Sequence, residues 1–124
     1  MPGAEGGAIV PAMTSTRPEA IISPDQPVMT FINVWTTERS DELVAALEPI
    51  VAVMARQPGF VSASVHVGLG GDRVAVYAQW RRREDWQAAG GLAEVQALLQ
   101  RAYAFGTEAP GVYRVAQTVL GPAA

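Results

Sequence analysis

Hydrophobic and polar positions change period several times after residue 27 of this chain, and each change marks an element. Val28–Thr37 (VMTFINVWTT) is dense in β-branched and aromatic residues and predicts a strand. Both of its faces are largely apolar, which places it centrally in a sheet with cover on each side. The stretch from Ser40 to Gly59 switches to helical spacing, with Leu43, Leu47, Ile50, Val51 and Met54 on one face. Ser40 is the expected N-cap, and Asp41 and Glu42 complement the positive end of the helix dipole. Pro49 is expected to kink this helix, and Pro58 with Gly59 to end it. Strand character returns in Phe60–Val67 and Asp72–Arg81, joined by GLGG, whose glycines suit a tight hairpin. REDWQAAGG predicts a short helix stopped by Gly90 and Gly91. LAEVQALLQRAYAF predicts a longer one, with Leu92, Val95, Leu98, Leu99 and Ala102 on a stripe. GVYRVAQTVL, Gly111 to Leu120, predicts the last strand. The order strand–helix–strand–strand–helix–helix–strand is that of an α+β, ferredoxin-like antiparallel sheet with helices on one face.

The hairpin decides where a site can lie. With its turn centred on Gly70, His66 faces Val74, Ser64 faces Val76, Ser62 faces Ala78 and Phe60 faces Trp80. Even-numbered residues then share one side of the sheet. Small Ser62, Ser64 and Ala78 ringed by Phe60, His66 and Trp80 predict a cavity, since a packed core would place Leu or Ile there. The odd face, including Val61, Ala63, Val65 and Tyr77, is also apolar. Helices cover only one side, so a second copy of the sheet is expected to bury the other, making a homodimer.

Composition narrows the classes. The 124 residues suffice for one domain with a single core, and 49% of them are apolar. Residues 1–27 are rich in Pro, Gly, Ala and Ser and read as a flexible arm, locally ordered around Ala20–Ile22. It is either a tail without function or an arm that crosses to a partner subunit. The domain is expected over residues 28–120, with a short tail at 121–124. No apolar run approaches the roughly 18 residues of a membrane span, and the amino terminus lacks the basic start and apolar run of a secretory signal. A cytoplasmic protein with no membrane partner is expected. There is no cysteine, which removes disulfides and thiolate chemistry, and His66 is the only histidine, so no tightly held metal is expected. The net charge is −3, and Arg81–Arg83 is the only basic cluster, too small for a nucleic-acid partner.

QPGFVSASVHV after the first helix, and VYAQWRRREDWQA across the third strand and the helix behind it, carry a resemblance when joined to this element order. From Val28 to Leu120 the chain resembles the antibiotic biosynthesis monooxygenase domains of the dimeric α/β-barrel superfamily. Within them it is most similar to anthrone oxygenases of aromatic polyketide pathways, which form quinones without metal, flavin or haem. The resemblance implies a homodimer closed through its sheets into a barrel, an aromatic polyketide as small-molecule partner, molecular oxygen as co-substrate, and no cofactor. It also implies site residues. Trp80 sits at the family's pocket-lining strand-end tryptophan, His66 matches a second-strand histidine of some members, and Asn33 lies on the strand where related oxygenases use an asparagine. Trp86 stands where one branch has a pocket tyrosine. That branch also has an asparagine four residues before the tryptophan, where this chain has Val76, so Asn33 or His66 must substitute or the chemistry differs.

Triplet oxygen reacts slowly with closed-shell molecules, but a deprotonated, electron-rich anthrone or hydroxyarene can give it an electron and recombine to a peroxide. The protein then need only bind a flat ring, favour its anion and exclude water. On this reading His66 is the base, Asn33 donates to the developing oxyanion, and Trp80 and Trp86 hold the ring. Phe60, Ser62, Ser64, Val76, Met54 and Tyr103 complete the pocket. The plainer roles stand beside these: His66 a hydrogen-bonded strand histidine, Asn33 a buried structural amide, Trp80 a core anchor, and Trp35, Met54 and Tyr103 core. Two other functions stay open: a polyketide cyclase, isomerase or other non-redox ring-forming enzyme, and a non-catalytic ligand-binding pathway protein. Haem degradation is disfavoured, because the family's haem-ligating histidine is helical and His66 is on a strand.

Overall fold

The computed structural model describes residues 17–123. The first 16 residues of the expected arm, and Ala124, lie outside the described residues. The elements follow the expected order: β1 (Met29–Thr36), α1 (Ser40–Met54), β2 (Phe60–Val67), β3 (Arg73–Trp80), α2 (Arg83–Gly90), α3 (Ala93–Ala102) and β4 (Thr107–Tyr113). The strands form one antiparallel sheet in the order β2-β3-β1-β4, with β1 internal as its two apolar faces require. The helices pack on one face of this ferredoxin-like fold, and Trp35, Leu43, Leu47, Val74 and Val95 are buried between the layers.

Local chemistry departs from expectation at two points, the cap of α1 and the place of the last strand. Ser40 is the first helical residue and not the cap: α1 has no side-chain cap, and the Thr37 hydroxyl accepts the Arg39 N–H (2.9 Å). Thr37 also donates to the Phe105 carbonyl (2.5 Å), tying the end of β1 to the turn before β4. Helix α1 runs through Pro49, whose exposed position lets water satisfy the carbonyl that its missing N–H leaves free. The last strand lies at Thr107–Tyr113 rather than Gly111–Leu120. Pro110 is accommodated because β4 is an edge strand, paired among the described residues only with β1.

The third departure is the hairpin register. Gly68 N–H donates to the Arg73 carbonyl (2.8 Å) and Gly71 N–H to the Gly68 carbonyl (3.0 Å), with Gly71 at φ +82°. The loop therefore holds four residues, Leu69–Asp72, between paired Gly68 and Arg73, and pairing shifts by one residue from a turn centred on Gly70. His66 stands opposite Ala75, Ser64 opposite Tyr77, Val65 opposite Val76 and Ala63 opposite Ala78. An irregularity between Phe60 and Ser62 then restores Phe60 opposite Trp80, as expected. A one-residue shift exchanges the faces of a strand. Ala63 and Val65 therefore face the helices, while Ser62, Ser64 and His66 join Tyr77 and Gln79 on the outer face.

That outer face is partly covered by the chain itself. Gln79, 1% exposed, accepts from the Ser62 hydroxyl (2.8 Å) and donates to the Ile21 carbonyl (2.7 Å). Thr118 donates to the Ile22 carbonyl (3.2 Å). The segment before β1 is thus fastened at Ala20–Ile22, where local order is expected.

Candidate active site

Between the inner sheet face and the helices lies a cavity of about 560 Å³, within the range of small-molecule pockets. Phe31, Asn33 and Trp35 of β1 and Val76, Ala78 and Trp80 of β3 form its floor, because alternation turns all six the same way. The space exists because Ala63 and Ala78 are paired across the ladder and offer only methyl groups where larger side chains would fill it. Ile50 and Met54 of α1, Trp86 of α2 and Leu99 of α3 line the helical side. Trp80 is 1% exposed and meets Phe60 edge-on at 5.3 Å, and Trp86 lies 5.3 Å from Phe31. These aromatic pairs fix ring orientation as well as burying area.

Polar groups gather on the β1–β4 side. Asn33 Nδ2–H donates to Glu108 Oε1 (2.9 Å), and the Tyr103 hydroxyl, at the end of α3, donates to Glu108 Oε2 (2.5 Å). The bond to Glu108 is the main cause holding the Tyr103 hydroxyl above its usual pKa of 10, with burial and the charge of Glu108 adding to it. The Tyr103 ring also lies 5.8 Å from Trp35. The Asn33 amide must present its nitrogen to Glu108, since the flipped amide would bring two acceptors together. Among the described residues, Asn33 Oδ1 is left buried without a partner, as is Trp35 Nε1. Each such atom costs about 1–3 kcal/mol while unpaired, so a ligand or water offering one donor and one acceptor is favoured. Among the described residues that line the cavity, Glu108 is the only carboxylate and Arg83 the only cation. Among the described residues, no three His, Cys, Asp or Glu side chains gather as a metal ion would need. Nor is any helix of the described residues long and apolar enough to cross a membrane.

The structure brings Asn33, Trp80, Trp86, Val76 and Met54 together at the cavity. It does not bring His66 there. His66 is exposed on the opposite face, 3.0 Å from the Ser64 hydroxyl, because of the register shift. Ser62 and Ser64 go with it, so the small residue contributed by β2 is Ala63. Phe60 buttresses Trp80 from behind, and Tyr103 reaches the site through Glu108. Asn33 has an Oδ1 acceptor without a partner among the described residues, and one of the two N–H donors of its amide is engaged by Glu108. The expected apolar dimer face is corrected as well: Ala63 and Val65 lie under the helices, and the outer face carries Ile32, Val34, Ala75 and Tyr77 beside its polar residues. Arg81 and Arg82 are solvated as a helix start should be, with Arg82 paired to Asp85 (3.3 Å), but Arg83 lines the cavity. Glu108 escaped the sequence reading. Its signal was the alternation of Glu108, Pro110 and Val112, one face of a strand that Pro110 disguised.

Residues 28–101 match the family described as antibiotic biosynthesis monooxygenase. The tetracenomycin-F1 monooxygenase of Streptomyces glaucescens is 39% identical over 75 residues, which cover 56% of this chain and 64% of that protein. The chain thus matches less than two thirds of the length of this curated relative. Among solved structures, SnoaB, a cofactor-independent oxygenase from Streptomyces nogalater, superposes with a TM-score of 0.70 at 22% identity, covering 75% of this chain and 97% of that one. The monooxygenase of the gene ActVA-Orf6 of Streptomyces coelicolor, solved with nanaomycin D, gives 0.63 at 17% identity, covering 77% and 93%. At these identities the structural likeness speaks for the fold.

Proposed function

This chain belongs to the antibiotic biosynthesis monooxygenase family, and on that premise we propose that it is a monooxygenase of an aromatic polyketide pathway. Its substrate on this reading is an anthrone or hydroxyarene, oxidised to a quinone by O₂ without flavin, haem or metal. The observation that supports it most is the cavity: about 560 Å³, apolar over most of its lining, walled by Phe31, Trp80 and Trp86, and polar along one side only. Such a space takes a flat polycyclic ring, shields its anion from water and orients it by a few hydrogen bonds. The ring CH₂ becomes C=O, one oxygen atom enters the product, and the other leaves as water with the two hydrogens. The tetracenomycin-F1 monooxygenase relative and the two oxygenase structures are consistent with this reading.

Val76 bears on how the reaction is guided. Asn33 stands directly across the ladder from Val76, and cross-strand partners on one face lie about 5 Å apart. The amide is therefore moved by one strand and not lost from this part of the pocket. Val76 also favours a second reading, a non-redox cyclase or isomerase, which oxygen uptake separates from the first. Dithranol, a hydroxylated anthrone, should be consumed under air with one O₂ per quinone formed, and not under argon. Activity should survive EDTA. Conversion that proceeds equally under argon would replace the oxygenase by the cyclase or isomerase. We further propose a homodimer through the outer sheet face around Ile32, Val34 and Tyr77, and a monomer in sedimentation at micromolar concentration would overturn it.

A further inference from the structure

With His66 on the far face of the sheet, the cavity lacks the base first expected for it, yet the proposed chemistry begins by removing a proton. We propose that Glu108 is the proton acceptor of this cavity and that the Tyr103 hydroxyl connects it to solvent. The inference rests on the oxygenase reading for the identity of the substrate. Its physical basis is independent of that reading.

Three observations carry it. Among the described residues, Glu108 is the only carboxylate lining the cavity, and the one other charged lining group, Arg83, is a guanidinium that stays protonated and cannot serve as a base. Glu108 is held in place by two donors, Asn33 Nδ2 at 2.9 Å and the Tyr103 hydroxyl at 2.5 Å, one on each oxygen. A carboxylate has about four acceptor positions, so each oxygen keeps one for an incoming proton. Finally, Tyr103 is 42% exposed while Asn33 is 5% exposed, so the chain of bonds runs from a buried amide to bulk water. The raised pKa of Tyr103 keeps its hydroxyl protonated, as a donor to Glu108.

In the step, a C–H bond of the anthrone's ring CH₂, or the O–H bond of a hydroxyarene, breaks heterolytically. The electron pair stays on the substrate as the aryloxide, and the proton forms an O–H bond at Glu108. Nothing is oxidised or reduced until O₂ takes an electron from the aryloxide. The negative charge passes from Glu108 to the ring, so the cavity never holds two anions side by side. Asn33 Oδ1, without a partner among the described residues and next to this carboxylate, can accept from a hydroxyl of the same ring and hold the reacting position toward Glu108.

The test uses dithranol in slightly acidic buffer, where the free compound is neutral. Under argon, the wild-type protein should bind it and shift its absorbance to that of the anion. Glu108→Gln should bind it with the neutral spectrum and, under air, lose about 10²–10⁴-fold in kcat, the usual worth of a general base. Tyr103→Phe should keep the anion band and slow turnover less. Glu108→Asp retains a carboxylate and should keep the band at reduced intensity, which holds the test open should the Gln variant not fold. An anion band that persists in folded Glu108→Gln overturns the proposal, and so does a wild-type protein that binds dithranol with no band. An anion band in the wild type without oxygen uptake instead sinks the oxygenase reading and leaves the acceptor assigned.

Discussion

Ala78→Leu should stabilise the protein while abolishing its activity, which tests whether the cavity is the working site. Ala78 is 6% exposed and stands between Phe31 on β1 and Ala63 on β2, with the cavity above it. Leucine adds three carbons, each worth about 0.8 kcal/mol when it leaves water, or roughly 2.4 kcal/mol if all three are buried. Ordering the longer side chain costs about 0.5–1 kcal/mol, and imperfect fit in a space shaped for another molecule takes more. A net gain of about 1 kcal/mol remains, equivalent to a rise of roughly 3–5 °C in Tm for a domain of this size. The same atoms occupy the floor between Trp80 and Asn33, where a flat substrate would lie. Thermal unfolding by circular dichroism and dithranol-dependent oxygen uptake on the same preparation give both numbers. A variant with higher Tm and no turnover fits an active site that has given up packing for space. Unchanged uptake with a filled cavity refutes the placement of the site, and a fall in Tm refutes the claim that the space is open.

Further outcomes follow from the same geometry. His66→Ala should leave turnover within about twofold and stability within about 0.5 kcal/mol, as exposed substitutions do; a hundredfold loss in folded protein returns the base role to His66. The phenolate absorbance contributed by Tyr103, taken as the wild-type curve minus that of Tyr103→Phe, should rise above pH 10, and Glu108→Gln should move it back down. Because the folded pKa is raised, the stability from this bond is complete below pH 10 and is lost as pH climbs through the folded value, so Tyr103→Phe should flatten the alkaline end of a stability curve. Gly59→Ala should cost about 2–3 kcal/mol in urea unfolding: φ is +84°, and the added Cβ would lie 2.1 Å from Asp85 Oδ2.

The element order and the central place of β1 were legible because they depend on composition over many residues, which no single turn can alter. Register was not. GLGG contains enough glycine for more than one loop, and only the bond from Gly68 to Arg73 and the positive φ of Gly71 select the four-residue form. One residue of difference sent His66 and both serines to the opposite face. The expectation of a cavity survived because Ala78 faces the helices in either register and Ala63 replaced the serines as the small partner. Glu108 was hidden for another reason. A proline two residues on reads as loop unless the strand is known to lie at an edge, and that depends on which strands pair, a fact carried by the whole fold.

The register that moved His66 out also explains why a single carboxylate can govern the site. It places Ser62, Ser64, His66 and Gln79 on the outer face, and leaves the inner face of β2 and β3 as Ala63, Val65, Val74, Val76, Ala78 and Trp80. Not one of these can accept a proton. In such surroundings an isolated charge is costly, so an ionised group persists only where donors meet it, and the lining offers that at Glu108 between Asn33 and Tyr103. A flat ring held against Trp80 and Trp86 is then nearly free to rotate in its own plane as far as apolar contact is concerned. Its hydroxyl groups find polar partners along one side only, and that side decides which proton leaves and so which position of the ring meets oxygen.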